Sequence, residues 1–146
     1  MSFVISSGAI VRTVTTTIAE FFCLPKVEKF EVLIKERTQA ILICNPNNPT
    51  GYVYTLKEMS QIRDLLQKYT LYLFSDEVYR EFIYTDSPYV SALHLDGIQD
   101  NVILIDSFPK RYAECGIRIG ALVTKNAVVL DTVLKFCQAR LSLLAN

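Results

Sequence analysis

Apolar and polar positions along the chain follow two periods. Ala40 to Cys44, Leu71 to Phe74 and Val102 to Asp106 are short, nearly continuous apolar runs bounded by polar turn residues, which predicts buried strands. Between the first two, Leu56, Met59, Ile62, Leu65, Leu66 and Tyr69 recur at helical spacing. Thr55 and Glu58 form a capping box at the start of that helix. Strand, helix, strand in this order predicts a βαβ unit, with parallel strands whose carboxyl ends share one edge of a sheet. The fold class expected is α/β, a mostly parallel sheet flanked by helices.

The flanking segments extend that picture. Phe3 to Ile5 reads as a short strand running into the small-residue turn Ser6-Ser7-Gly8-Ala9, and the β-branched run Val11 to Thr17 reads as another. Almost no chain joins the two, although a parallel crossover needs about a dozen residues. Pro25 suits the first turn of a helix reaching Lys35, with Val27, Phe30, Leu33 and Ile34 on one face. Phe82 to Asp100, which holds His94, is irregular and broken by Pro88 and Gly97. Ile117 to Thr124 predicts a further strand. Asn126 then caps a last helix bearing Val129, Val133, Leu134, Cys137 and Leu141.

Composition narrows the function classes. Fifteen basic and fifteen acidic side chains cancel, which argues against nucleic acid or an anionic membrane as the main partner. No apolar run is long enough to span a bilayer. The 51% apolar fraction and mean hydropathy of +0.26 are high for a small free-standing domain, as if some surface were meant to be covered. Cys23, Cys44, Cys115 and Cys137 are scattered without a C-x-x-C pair, so no metal site is expected. Residues 1–11 lack a basic start and a full apolar core, so no signal peptide is expected and the chain reads as a reduced, cytoplasmic protein.

Three polar clusters follow the three predicted parallel strands: Asn45 to Gly51, Asp76 to Tyr79, and Ser107 to Lys110. Open α/β sheets bind ligands at that edge. A lysine delivered at a strand's end, partly desolvated and beside a cation such as Arg118, has its ammonium pKa lowered and its amine freed to attack a carbonyl. Asp76 can keep a pyridine nitrogen protonated, Asn48 and Tyr79 can donate to a phenolic oxygen, and Arg118 with Ser107 can clamp a phosphate, helped by the turn at Gly8 and Ala9. Those are the needs of pyridoxal phosphate. Taken singly, each feature also has a bland reading: a solvated lysine, a turn, a helix cap, a core-edge aromatic.

Together the residues resemble the class I and II aminotransferases of the fold-type I pyridoxal phosphate enzymes. The hallmarks are Asn-Pro-x-Asn-Pro-Thr-Gly at 45–51, Ser-Asp-Glu-Val-Tyr at 75–79, and Ser-x-x-Lys at 107–110 followed by Gly-x-Arg-x-Gly at 116–120. Their order and spacing match the family, with Asp76 28 positions after Asn48 and Arg118 eight after Lys110. The resemblance implies that Lys110 holds the cofactor covalently and shuttles the substrate's proton. It further implies that Asp76 faces the pyridine nitrogen, Asn48 and Tyr79 the phenolic oxygen, and Ser107 and Arg118 the phosphate. The implied reaction moves an amino group between an amino acid and a 2-oxo acid.

The same resemblance sets expectations about what differs. Residues 1–146 correspond to a partial cofactor-binding large domain, with a deletion expected near residues 10–11 and no carboxy-terminal small domain. That small domain carries the family's carboxylate-gripping arginine, and family members are normally homodimers. Impaired or absent turnover is therefore expected. The alternatives are a non-catalytic fragment that binds the cofactor or a partner subunit, and a fragment of a fold-type I carbon-sulfur lyase. Pro109 stands where the family commonly has a small polar residue; it removes a backbone donor beside Lys110 and is expected to hold Phe108 extended.

Overall fold

The computed structural model describes residues 2–86 and 88–140. The chain forms two units, Met1–Thr38 and Gln39–Asn146. The first contains helix α1 (Ser2–Ser6), a 3₁₀ turn at Ile18–Glu20 and helix α2 (Val27–Glu31). Three expectations are corrected here. Phe3 to Ile5 lies in α1 instead of a strand, 11–17 has no regular structure, and the helix expected to reach Lys35 stops at Glu31. A β-branched run becomes a strand only against a partner, and among the described residues the four strands all belong to the second unit. Lys26 gives α2 no side-chain cap, and a helix of one turn has little cooperative support of its own.

The second unit is organised by a four-stranded sheet in the order β1 (Ala40–Cys44), β2 (Tyr72–Asp76), β3 (Val102–Ser107), β4 (Gly120–Val123). The first three strands run parallel and the last returns antiparallel. Helix α3 (Leu56–Tyr69) makes the β1–β2 crossover. Its capping box is closed by the Glu58 N–H donating to Thr55 Oγ1 (3.2 Å) and the Thr55 N–H donating to Glu58 Oε2 (2.8 Å). Met59, Ile62, Leu65 and Leu66 are its buried stripe.

Register and alternation divide the sheet into unequal faces. Ile41 and Ile43 pair with Leu73 and Ser75, which pair with Val102 and Leu104, and all six are buried. The opposite face carries Leu42, Phe74, Ile103, Ile105 and Leu122, of which Ile103 is buried, Leu42 is 58% exposed and the others are half-buried. A sheet with parallel strands is normally covered on both sides. The high apolar content of the chain thus has a location: Leu42, together with Val128, Leu130, Leu134 and Phe136 on the final helix α5 (Ala127–Arg140), all exposed. The Val129 N–H donates to Asn126 Oδ1 (3.0 Å), as the cap requires, while Leu141, expected on the apolar face of α5, lies outside the described residues. Among the described residues no helix is long and apolar enough to cross a membrane.

Candidate active site at the carboxyl edge of the sheet

The loop after β1 is closed by its own side chains. Asn47 Oδ1 accepts from the Thr50 hydroxyl (2.8 Å) and the Thr50 N–H (3.3 Å), and the Gly51 N–H reaches the Asn47 carbonyl (2.8 Å). Gly51 sits at φ 73°, where a side chain is strained. Asn45 is fully buried: its Oδ1 accepts from the Tyr54 N–H (2.9 Å), and its own N–H donates to the Asp76 carbonyl (2.9 Å). The loop is thereby fastened to the end of β2. Asn48, exposed at its tip, donates from Nδ2 to Tyr79 Oη at 3.4 Å.

Asp76 is the last residue of β2. It lies between Cys44 of β1 and Ile105 of β3 in register, on the sparsely covered face of the sheet. Its Oδ1 accepts from the Val78 N–H (3.2 Å), which turns the chain toward Tyr79. Ser107, two residues beyond Ile105, is on the same face. Burial is the main reason that the Cys44 thiol is pushed above its ordinary pKa; the Asn48 backbone pulls it back and the Asp76 carboxylate pushes it further.

Lys110 belongs to the short helix α4 (Phe108–Arg111), with Ser107 as its N-cap residue and Pro109 in its first turn. Two expectations change at this point. Phe108 is helical, because the Tyr112 N–H closes the turn on the Phe108 carbonyl (3.1 Å), and a proline in a first helical turn removes only a donor that would lack a helical partner anyway. The desolvation expected of the lysine is also missing: α4 turns Pro109 inward and leaves Lys110 exposed.

Arg118 precedes β4, whose antiparallel return runs beside the end of β3. Ser107 pairs with Gly120, and the Phe108 N–H donates to the Ile119 carbonyl (3.2 Å). A Cβ on Gly120 would stand 3.1 Å from the Asp106 carbonyl, so the strand passes closest where it has no side chain. Arg118 itself is exposed and held at φ 54°, uncommon for a residue with a side chain. Gly8 and Ala9 fall in the first unit, at an exposed turn after α1 where the Gly8 N–H donates to the Ile5 carbonyl (2.9 Å) at φ 83°.

Two buried acidic anchors near the site were not anticipated. Glu77 is fully buried and accepts from the Ser75 hydroxyl (3.0 Å), the Ala92 N–H (2.9 Å) and the Tyr89 hydroxyl, so it anchors the irregular 82–100 segment to the end of β2. Burial and then the bond to Glu77 hold the Tyr89 hydroxyl far above the ordinary tyrosine range. Asp106 binds Arg80 (2.7 Å) and Arg111 (3.3 Å). Strand alternation was the available signal, since Leu73, Ser75 and Glu77 share one parity and Val102, Leu104 and Asp106 another, both ending inward.

A βαβ-built sheet with polar loops converging at its carboxyl edge is the architecture of an α/β ligand-binding domain, here part of a fold-type I large domain. Residues 3–142 match the family described as aminotransferase class I and II, and the chain belongs to that family. It is 35% identical over 125 residues to the aspartate aminotransferase of Thermotoga maritima, covering 86% of this chain and 33% of the relative. It is 37% identical over 103 residues to aromatic-amino-acid aminotransferase 2 of Thermococcus litoralis, covering 70% and 26%. The solved structure of the Thermotoga maritima enzyme superposes with a TM-score of 0.84 at 32% identity, covering 92% of this chain and 36% of that one. The aromatic aminotransferase structure from Pyrococcus horikoshii gives 0.80 at 32% identity, covering 86% and 33%. The chain therefore spans about a third of the length of these relatives.

Proposed function

We propose that this chain binds pyridoxal phosphate at the carboxyl edge of its sheet and carries the cofactor-attaching lysine of an aminotransferase, Lys110, with impaired or no turnover. The observation that carries the reading is the meeting of Asn48 and Tyr79, from the loops after β1 and β2, beside a strand-terminal Asp76 that shares its sheet face with Ser107. Two neutral donors and one carboxylate suit a ring with a phenolic oxygen and a basic nitrogen. The donor set therefore fits the cofactor chemically.

When bound, pyridoxal phosphate supplies an aldehyde that takes an amine and a ring that accepts an electron pair. In the proposed site, the negative charge of Asp76 would favour a proton on the ring nitrogen. Asn48 Nδ2 and Tyr79 Oη would donate to the phenolic oxygen, and Ser107 and Arg118 would hold the phosphate. Lys110 Nζ would be the amine offered to the aldehyde and the base that would carry the substrate's Cα proton. An amino acid and a 2-oxo acid are the substrates of such a reaction.

The exposure of Lys110 and of one sheet face supports binding with little turnover, since orientation and exclusion of water account for much of a barrier of this kind. The test is a half-reaction. The protein is incubated with the cofactor and then with glutamate or aspartate, and the released 2-oxo acid is measured. Cofactor binding with less than one equivalent released slowly fits the proposal. Fast release of a full equivalent would overturn the impaired activity, and lack of any cofactor-dependent absorbance would overturn the assignment itself.

A further inference from the structure

Beside the proposed site, on the opposite face of the sheet from Asp76, four charged side chains form a cluster in which, among the described residues, Arg111 Nε is buried without a hydrogen-bond partner. Asp106, buried at the end of β3, divides its two oxygens: Oδ1 accepts from the Ser107 N–H (2.8 Å), while Oδ2 takes Arg80 Nη2 (2.7 Å) and Arg111 Nη2 (3.3 Å). Glu81 Oε1 stands against the same two guanidiniums, 3.3 Å from Arg111 Nη2 and 3.6 Å from Arg80 Nε. The Arg80 N–H in turn donates to the Glu77 carbonyl (3.0 Å), within the turn that carries Tyr79.

We infer that Asp106, with Arg80 and Arg111, is a positioning device for Lys110. The inference rests on the reading of Lys110 given above and concerns a different set of residues. Asp106 grips both ends of α4, the backbone N–H of Ser107 before it and the side chain of Arg111, the residue after the lysine. Through Arg80 the same carboxylate ties α4 to the Asp76–Tyr79 turn. Two loops that must hold one ligand between them are thus referenced to a single buried atom group.

Two alternatives fare worse. An anion-binding site would need a surplus of positive charge, yet two carboxylates balance the two guanidiniums here. A mere surface salt bridge would be exposed and contribute little, whereas the Asp106 side chain is only 11% exposed and also bonds the backbone. Removing that carboxylate leaves the two half-buried guanidiniums sharing only the more exposed Glu81, which frees Arg111, and with it α4, from its buried anchor.

The test has two arms. In the first, amide hydrogen exchange is followed on the protein without cofactor for wild type, Asp106→Asn, Arg111→Ala and Arg111→Lys. Asp106→Asn and Arg111→Ala are expected to speed exchange at Phe108 and Tyr112, the two amides that fasten α4, by about tenfold, and to leave Leu73 in β2 unchanged. Arg111→Lys, which keeps a cation for Asp106, is expected to restore most of the protection.

In the second arm, the rate of borohydride-stable attachment of pyridoxal phosphate at Lys110 is expected to fall about tenfold or more in Asp106→Asn and Arg111→Ala, and to recover in Arg111→Lys. Unchanged exchange at Phe108 and Tyr112 overturns the inference, as does attachment at the wild-type rate in both variants. If even the wild-type chain takes up no cofactor, the reading of Lys110 fails, and the exchange arm alone still decides whether Asp106 holds α4.

Discussion

Asn48 and Tyr79 stand 31 residues apart in the chain and meet through a 3.4 Å hydrogen bond from Nδ2 to Oη. Their meeting follows from parallel pairing of β1 and β2, which brings the loops after both strands to one edge, and from the Asp76 carboxylate that turns the chain toward Tyr79. At 3.4 Å the bond is long and contributes little to folding. Its value is to show that two donors from separate loops address the same small volume.

Tyr79→Phe is accordingly expected to weaken cofactor binding while leaving the fold intact. Loss of one hydrogen bond to a charged oxygen costs about 1.5 to 3 kcal/mol, or roughly ten- to a hundredfold in affinity, and the urea midpoint should hardly move. An absorbance titration with pyridoxal phosphate measures the first quantity. Unaltered affinity would remove Tyr79 from the site.

Glu77→Ala should do the reverse, lowering stability through the fold. The Ala92 N–H and the Ser75 hydroxyl lose their shared acceptor in a fully buried place, and each orphaned group costs about 1 to 3 kcal/mol. Urea unfolding should show a loss of about 2 to 4 kcal/mol, with increased exchange at Ala92. A loss under about 1 kcal/mol would mean that water replaces the carboxylate at no great cost.

Tyr54 makes stability fall at alkaline pH. Burial, followed by the charges of Glu58 and Cys44, raises its hydroxyl from 10.0 to about 12. Below pH 10 the folded and unfolded chains both keep that proton, and the stability is fully present. Between pH 10 and about 12 the unfolded chain releases the proton more readily, so stability declines, by up to about 2 kcal/mol from this group. Tyr54→Phe should flatten the decline over that window. Parallel curves for the two proteins would show that other groups account for it.

The four cysteines are free, and their surroundings differ. Cys115 is exposed, whereas Cys44 is half-buried, its thiol raised chiefly by burial and bonded to the Pro46 carbonyl (3.3 Å). Alkylation at neutral pH followed by peptide mapping should label Cys115 well before Cys44. Equal rates would contradict the packing of the β1 end.

Much of the second unit was legible because its signals are local. Ala40–Cys44 and Val102–Asp106 are apolar enough to be strands in any setting, and the Thr55–Glu58 box marks the start of α3 to the residue. The shared edge of the three loops followed from the βαβ rule. Phe3–Ile5 and Val11–Thr17 misled because β-branched residues report a readiness to pair, and pairing needs a neighbour that the sequence does not name. Lys110 was expected to be covered, since a lysine after a strand does not reveal which way the following helical turn will face. Glu77 and Asp106 were visible as inward positions by parity, but their partners Tyr89, Ala92, Arg80 and Arg111 come from turns whose geometry no local pattern encodes.

The central claim is that the amine of Lys110 is the point of cofactor attachment. The most direct test is to mix the protein with pyridoxal phosphate, reduce with borohydride, digest, and locate the modified lysine by mass spectrometry in wild type and Lys110→Ala. The account predicts one dominant label on Lys110 and its loss in the variant. Labels spread over the surface lysines, equally in both proteins, would contradict it.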